Sequence, residues 1–190
     1  SCCGLLTEFA KKCNLTVPAL AAKSLYTGMI TDSGRFRYDG TTARTFRLAA
    51  TLMETGFDTN ELFRNLYADD FSFIQLRAKY VLKIQLTDAN VAYIYTTKEE
   101  AASYGADTFT LSRGMVNVMG EIRGIDIWVN FTETAEGVLC ELRSSKYNIN
   151  GIAKKYGGGG HAKASGATVA DREAAMNMLE DLKQLTEDLV

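Results

Sequence analysis

The sequence predicts an α/β protein built from two domains. Residues 1 to about 70 mix helical patterns with short apolar, strand-like patterns, and residues 85 to 190 alternate helices with runs rich in β-branched and aromatic residues. The composition, 46% hydrophobic and 23% charged, is typical of a globular chain with one large core or two smaller ones. We therefore predict a first domain over 1–69, a helical linker over 70–84 and a second domain over 85–190.

Caps and apolar spacing predict the helices of the first domain. The expected helices begin at Ser1, run from 19 to 30, run from Thr41 or Thr42 to Gly56, and open at Asp58 or Thr59. The second helix leads into a turn that contains Asp32, Ser33 and Gly34. A further helix over 70–82 is predicted to act as the hinge, because no glycine- or proline-rich linker separates the domains.

The second domain is predicted to begin with a strand over 91–97. Helices over 98–105 and 108–124 follow, and then a hairpin whose strands are joined by the letters AEG. A short helix ends in a glycine run, a strand covers 166–170, and a last helix over 171–189 is capped by Asp171. This order predicts a sheet that is covered by helices.

The stretch YGGGGHAKASG, from Tyr156 to Gly166, holds the only histidine of the chain, His161. It contains four consecutive glycines, Gly157, Gly158, Gly159 and Gly160. Such a run lets the backbone take positive φ angles and approach a ligand, and successive free N–H groups bind anions. With Arg143 and Ser144 at the end of a preceding strand, the stretch predicts a phosphate or nucleotide cradle; the alternative is a flexible loop with a surface histidine.

Two familiar phosphate-binding motifs do not fit the glycine run. The dinucleotide fingerprint G-x-G-x-x-A must follow a strand, whereas a helical pattern precedes these glycines. A P-loop ends in G-K-[ST], and the letters GHAKAS do not supply it. The cradle must therefore be of another kind.

A second polar cluster surrounds Asp32 in the segment GMITDSGRFRYDGTT. An aspartate in a turn after an apolar segment is well placed to reach a metal ion at the edge of a sheet. The alternative is that Asp32 only stabilises its turn, and that the arginines nearby are ordinary surface charges. The segment alone leaves both interpretations open.

Together the two clusters resemble a known family. The letters ELRSSKYNINGIAKKY followed by GGGGHAKASGATV, and LYTGMITDSGRF earlier in the chain, closely resemble the DHH phosphoesterase family with its C-terminal DHH-associated domain. Within it, the chain is most similar to the oligoribonuclease (nanoRNase) and pAp-phosphatase branch. The resemblance implies the rest of a Rossmann-like DHH domain, joined by a helical linker to a smaller α/β domain with a mixed sheet.

The resemblance also implies site residues and a cofactor. Members hold two divalent metals, usually Mn²⁺, on aspartates and on an Asp-His-His sequence, and of these ligands only Asp32 carries over, as a metal ligand and catalytic residue. Substrate binding is implied for Arg143, Ser144, the run Gly157–Gly160 and His161.

Because the single histidine belongs to the glycine run, Asp-His-His is absent from this sequence. One aspartate cannot position two ions. We therefore expect a piece of a longer enzyme that is inactive by itself.

The implied function is a metal-dependent phosphodiesterase or phosphatase that degrades short oligonucleotides and 3′-phosphoadenosine phosphate. The alternatives are a cyclic-di-AMP phosphodiesterase of the same family and a non-catalytic nucleic-acid-binding module.

A net charge of -2 argues against duplex DNA as a partner, and no apolar run is long enough to span a bilayer. Four cysteines without zinc-ligand spacing predict reduced thiols in the cytoplasm. A homodimer is left open.

Overall fold

The computed structural model describes residues 1–187 and divides into two compact units. The first covers residues 1–69, and the second begins at Asp70. Each unit has its own core of buried apolar side chains, and the second unit has a core on each face of its sheet. The fold is therefore a mixed α/β one, as the sequence predicts.

The first unit consists of helices: α1 (Cys2–Lys12), α2 (Ala19–Asp32), α3 (Ala43–Met53) and α4 (Thr59–Tyr67). No strand forms within residues 1–69, so the expectation of buried strands in this part of the chain is wrong. The buried positions of α2 show why: Ala22, Tyr26, Met29 and Ile30 recur at the spacing of a helix face instead of alternating.

Side-chain caps determine where these helices begin. Ser1 Oγ accepts a hydrogen bond of 3.1 Å from the Gly4 amide, and Asp58 Oδ1 accepts one of 3.0 Å from the Glu61 amide. Thr42 caps α3 through a reciprocal capping box. The three helix starts predicted from these residues are confirmed.

The second unit contains a six-stranded mixed sheet with helices around it. Its helices are α5 (Phe71–Leu82), α6 (Lys98–Ser103), α7 (Asn150–Lys155) and α8 (Arg172–Glu187), with a π turn (Thr110–Gly114) and a 3-10 turn (Val116–Met119). Its strands are β1 (Gln85–Leu86), β2 (Val91–Thr96), β3 (Ile127–Glu133), β4 (Val138–Ser144), β5 (Gly159–His161) and β6 (Ala164–Val169). Their order is β1-β2-β3-β4-β6-β5, in which β2 and β3 run parallel and the other neighbours antiparallel.

The sheet separates two cores, because successive side chains of a strand point to opposite faces. On one face, Val129 and Leu142 pack with the apolar side of α8. On the other face, Ile94 packs with Leu76 and Tyr80 of α5. The predicted connector helix thus contributes buried side chains to the second unit, and its role as a hinge stays a prediction.

The helix predicted over 108–124 is wrong as a single α-helix, since the chain forms the π turn and then the 3-10 turn instead. Asn130, a fully buried residue of β3, explains the irregularity. Its Nδ2 donates to the carbonyl oxygens of Leu111 at 2.8 Å and Ser112 at 2.7 Å. A side chain that takes carbonyls from the helical ladder interrupts it.

The last helix begins as predicted, because Asp171 Oδ1 accepts a hydrogen bond of 2.9 Å from the Ala174 amide. The predicted end of this helix at residue 189 lies outside the described residues. Within residues 1–187, no helix combines the length and the apolar character that crossing a bilayer requires.

The cysteines should differ sharply in reactivity. Cys140 is 1% exposed, and burial raises the pKa of its thiol to about 12, whereas Cys2 and Cys13 are exposed. Because the thiolate is the nucleophile, we expect Ellman's reagent at pH 8 to modify Cys2 and Cys13 in the folded protein. Cys140 should react only after unfolding. A Cys140→Ser variant serves as the control: the half-buried Cys3 is present in both proteins, so the variant should show one reacting thiol fewer on unfolding. Rapid modification of Cys140 in native protein would contradict the buried position.

Candidate functional site

Strand pairing brings two predicted site residues onto one face of the sheet. Arg143 of β4 lies opposite Ala164 of β6, and Ala164 lies opposite His161 of β5. Directly opposite residues of antiparallel strands point to the same side. Only the methyl group of Ala164 therefore stands in the row between the Arg143 and His161 side chains.

The neighbouring row contains two glycines. Glu141 lies opposite Gly166, which in turn lies opposite Gly159. A Cβ atom built on Gly159 would meet no atom within 4 Å, so the space above it is open. We call Gly159, Ala164 and Gly166 the small-residue floor. A planar group of a ligand can approach the backbone of this floor closely, because no large side chain stands on it.

Arg143 stands beside this floor in a defined position. Its NH1 lies 3.2 Å from Glu141 Oε2 and donates a hydrogen bond of 2.8 Å to the Leu142 carbonyl oxygen. The side chains of Arg143 and Glu141 are only 17% and 14% exposed. A guanidinium carries five N–H donors, so these two partners leave donors for a ligand.

His161 ends the short edge strand β5, whose backbone is held from two sides. Ser165 Oγ donates to the His161 carbonyl oxygen at 2.7 Å, and Asn150 Nδ2 donates to the Gly160 carbonyl oxygen at 2.8 Å. The His161 side chain is exposed. Its imidazole is thus available to a ligand on a fixed backbone.

The glycine run is a helix end and an edge strand, and the expected series of free N–H groups is wrong for its first half. The amide of Gly157 donates to Lys154 O at 3.0 Å, and that of Gly158 donates to Ala153 O at 2.8 Å. Gly157, at φ +77°, is the left-handed residue that closes α7. Positive φ is also found at Gly160 but not at Gly159.

The Ser144 side chain does not lie on the same face of the sheet as Arg143. As the next residue of β4, it points to the opposite face and is 5% exposed. Its Oγ accepts hydrogen bonds from the amides of Tyr147 at 2.7 Å and Lys146 at 3.1 Å. The hydroxyl is used within the fold, and a role of Ser144 in substrate binding stays a prediction.

Asp32 lies in the first unit, as the last residue of α2 and not within the turn itself. Its side chain is 63% exposed, and Oδ2 lies 3.4 Å from the amino nitrogen of Ser1. It borders a cavity of about 460 Å³ that Glu8, Arg44 and Thr45 also line. The side chain is accessible to a ligand or an ion.

A strained turn follows Asp32. Gly34, Arg35 and Phe36 have φ angles of +56°, +63° and +61°. Left-handed backbone costs about 1–2 kcal/mol for each residue that is not glycine. The Phe36 amide donates to Ser33 Oγ at 2.9 Å, which helps to hold this conformation. Such strain concentrates at functional sites, so it supports a role for this turn.

The described residues do not form a metal site by themselves. Among residues 1–187, no group of three His, Cys, Asp or Glu side chains is placed to hold a metal ion. Asp32 offers a single carboxylate, which is too few ligands for a divalent ion that prefers six or more oxygens. The metal centre that the family resemblance implies therefore does not fit these residues alone.

Glu141 and Arg113 also belong to the site, although the sequence did not predict them. Arg113 Nε lies 3.4 Å from Glu141 Oε1, so that one carboxylate faces two guanidiniums. The position of Glu141 could have been predicted, because residues two apart on a strand share a face and Glu141 comes two residues before Arg143. No local signal places Arg113 there, since it comes from the π turn.

Two neighbouring glycines should respond differently to substitution. A Cβ on Gly158 would lie 2.1 Å from the Gly166 carbonyl oxygen. We expect Gly158→Ala to lower the free energy of unfolding by about 1–3 kcal/mol, the usual cost of overpacking. Gly159→Ala, the matched control, should stay within about 0.5 kcal/mol of wild type. Urea denaturation measures both, and equal losses would contradict the described pairing of β5 with β6.

Comparisons with known proteins identify the family of the chain. Residues 90–188 match the DHHA1 domain family. The bifunctional oligoribonuclease and PAP phosphatase NrnA of Bacillus subtilis is 33% identical over 168 residues, covering 88% of this chain and 53% of that protein. Its namesake from Mycoplasma genitalium is 34% identical over 182 residues, covering 95% and 56%.

A solved structure gives the same result for the fold. An exopolyphosphatase-related protein from Bacteroides fragilis is 28% identical, with a TM-score of 0.80, over 90% of this chain and 53% of that one. The chain spans about half the length of the curated relatives it matches. Because the family match covers more than half of its residues, the chain belongs to the DHHA1 domain family.

Proposed function

We propose that the protein is a phosphoesterase that degrades short oligonucleotides, and that the second unit binds the substrate. The observation that carries this proposal is the placement of Arg143 and His161 on one face of the sheet, beside the open space over Gly159. The names of the relatives from Bacillus subtilis and Mycoplasma genitalium support oligonucleotides and 3′-phosphoadenosine phosphate as substrates.

The chemistry of the floor suits a nucleotide. Arg143 can hold a phosphate through the guanidinium donors that Glu141 and Leu142 do not use, and such charge-assisted bonds are strong. His161 can donate a hydrogen bond to the same phosphate or to the base. The open space over Gly159 admits a sugar or a base at close range.

We propose Asp32 as the catalytic carboxylate that this chain contributes to a divalent-metal centre, with two Mn²⁺ ions in the complete protein. The strained turn after Asp32 supports a functional role. Because no group of three ligand side chains is placed to hold a metal ion among residues 1–187, the other ligands must come from elsewhere, and we expect no hydrolysis by these 190 residues alone. The four free cysteines support a cytoplasmic location; the homodimer stays a prediction.

The first test removes the guanidinium at the floor. Arg143→Gln in the full-length protein should weaken the binding of pApA by about 10- to 150-fold, the equivalent of about 1.5–3 kcal/mol for a charge-assisted hydrogen bond. The matched control is Arg172→Gln, because Arg172 stacks on the Tyr95 ring at 4.8 Å, on the opposite face of the same sheet. Calorimetric titration in EDTA measures binding without hydrolysis. Equal affinity of Arg143→Gln and wild type would remove Arg143 from the site.

The second test fills the open space over the floor. Gly159→Val should fold normally, since φ is not positive there and nothing lies near the new side chain, but it should reduce pApA binding at least tenfold because the ligand and the valine compete for one volume. The matched control for the titration is Gly151→Val in α7, because Gly151 also lacks a positive φ and nothing lies within 4 Å of its added Cβ. Normal binding by a folded Gly159→Val protein would refute the floor as the ligand site.

A further inference from the structure

Arg113, which contacts Glu141 beside the small-residue floor, and an exposed aromatic ring next to it have no ligand assigned to them so far. Arg113 belongs to the π turn, and Phe109 directly precedes that turn. The Arg113 guanidinium carbon lies 5.6 Å from the centre of the Phe109 ring. Phe109 is 63% exposed, so it gains little from burial in this fold.

Glu141 connects this pair to Arg143. Its Oε1 lies 3.4 Å from Arg113 Nε, and its Oε2 lies 3.2 Å from Arg143 NH1. One carboxylate cannot neutralise two guanidiniums, so the three groups together keep a charge of +1. The Arg113 side chain is 59% exposed, and its remaining N–H donors face solvent beside the floor.

The π turn that carries the pair is held firmly. Asn130 binds two of its carbonyl oxygens from the sheet below. Asp107 Oδ1 accepts a hydrogen bond of 2.9 Å from the Thr110 amide, and Oδ2 accepts one of 2.7 Å from the Thr110 hydroxyl. π turns of this kind often occur at functional sites, and a fixed turn lowers the entropy lost when a ligand binds.

We propose that Phe109 and Arg113 form a second nucleotide subsite. Arg113 binds a phosphate next to the one that Arg143 holds, and the ring of Phe109 stacks on the base of the neighbouring nucleotide. Bases stack on exposed aromatic rings, and arginines bind phosphate oxygens in pairs of hydrogen bonds. This inference rests on the proposed function, since it extends the same clamp by one nucleotide.

The subsite implies a preference for chain length. A mononucleotide whose phosphate binds Arg143 has no second phosphate for Arg113 and no second base for Phe109, whereas a dinucleotide such as pApA has both. Base stacking contributes about 1–3 kcal/mol, which corresponds to an affinity ratio of roughly 5- to 150-fold. The protein should therefore bind pApA more tightly than AMP by a factor in that range.

The test compares the dissociation constants of pApA and AMP by calorimetry in EDTA on the full-length protein. Phe109→Ala and Arg113→Gln should each weaken pApA binding by about 5-fold or more and change AMP binding less than about twofold. Phe109→Trp and Arg113→Lys should retain much of the pApA affinity. Matched controls are Phe71→Ala, at another exposed phenylalanine of this unit, and Arg172→Gln.

The outcomes separate this inference from the proposed function. Selective loss of pApA affinity in both variants supports the subsite. If both bind pApA like wild type while Arg143→Gln loses both ligands, the subsite is overturned and the proposed function stands. Equal losses for AMP and pApA also overturn it, because they place the effect at the floor. If Arg143→Gln binds both ligands normally as well, the proposed function fails and the subsite with it.

Discussion

The register in which β6 pairs with β4 and β5 determines which side chains stand together at the candidate site. This register places Arg143, Ala164 and His161 in one row. A slip by one residue would turn Arg143 into the core that holds Leu142, because strand side chains alternate. Burying a guanidinium there would cost several kcal/mol. The apolar core beneath β4 thus selects the register, and the register in turn keeps Arg143 out of that core and beside the small-residue floor.

Glu141 introduces a compromise between position and charge. It fixes Arg143 and Arg113 from one carboxylate, which spares the entropy of ordering two long side chains when a ligand binds. It also offsets part of their attraction for phosphate. The compromise favours a ligand whose phosphates match the fixed positions over one that is simply highly charged, so shape contributes to selectivity along with charge.

The sequence predicts what depends on local pattern and misses what depends on distant partners. The alternation in β4 and the glycine-histidine motif are local patterns, and they suffice to predict Arg143 and His161 as candidate site residues. The strand β5 escapes prediction because glycine has a low strand propensity, and only pairing with β6 makes it a strand. The π turn escapes for a similar reason, since Asn130, which interrupts the helix, comes from another part of the chain.

The net charge of the chain and the local charge of the site have different consequences for a ligand. The net charge of -2 gives a polyanion no general attraction, whereas Arg113 and Arg143 attract a phosphate that is already close. At physiological salt, charges more than about 8 Å apart are largely screened, so the cations act only within the site. A long duplex would extend beyond these arginines and gain nothing further from them, whereas a dinucleotide would lie within their reach. Under the proposed function, the two arginines therefore suit a short strand better than a duplex.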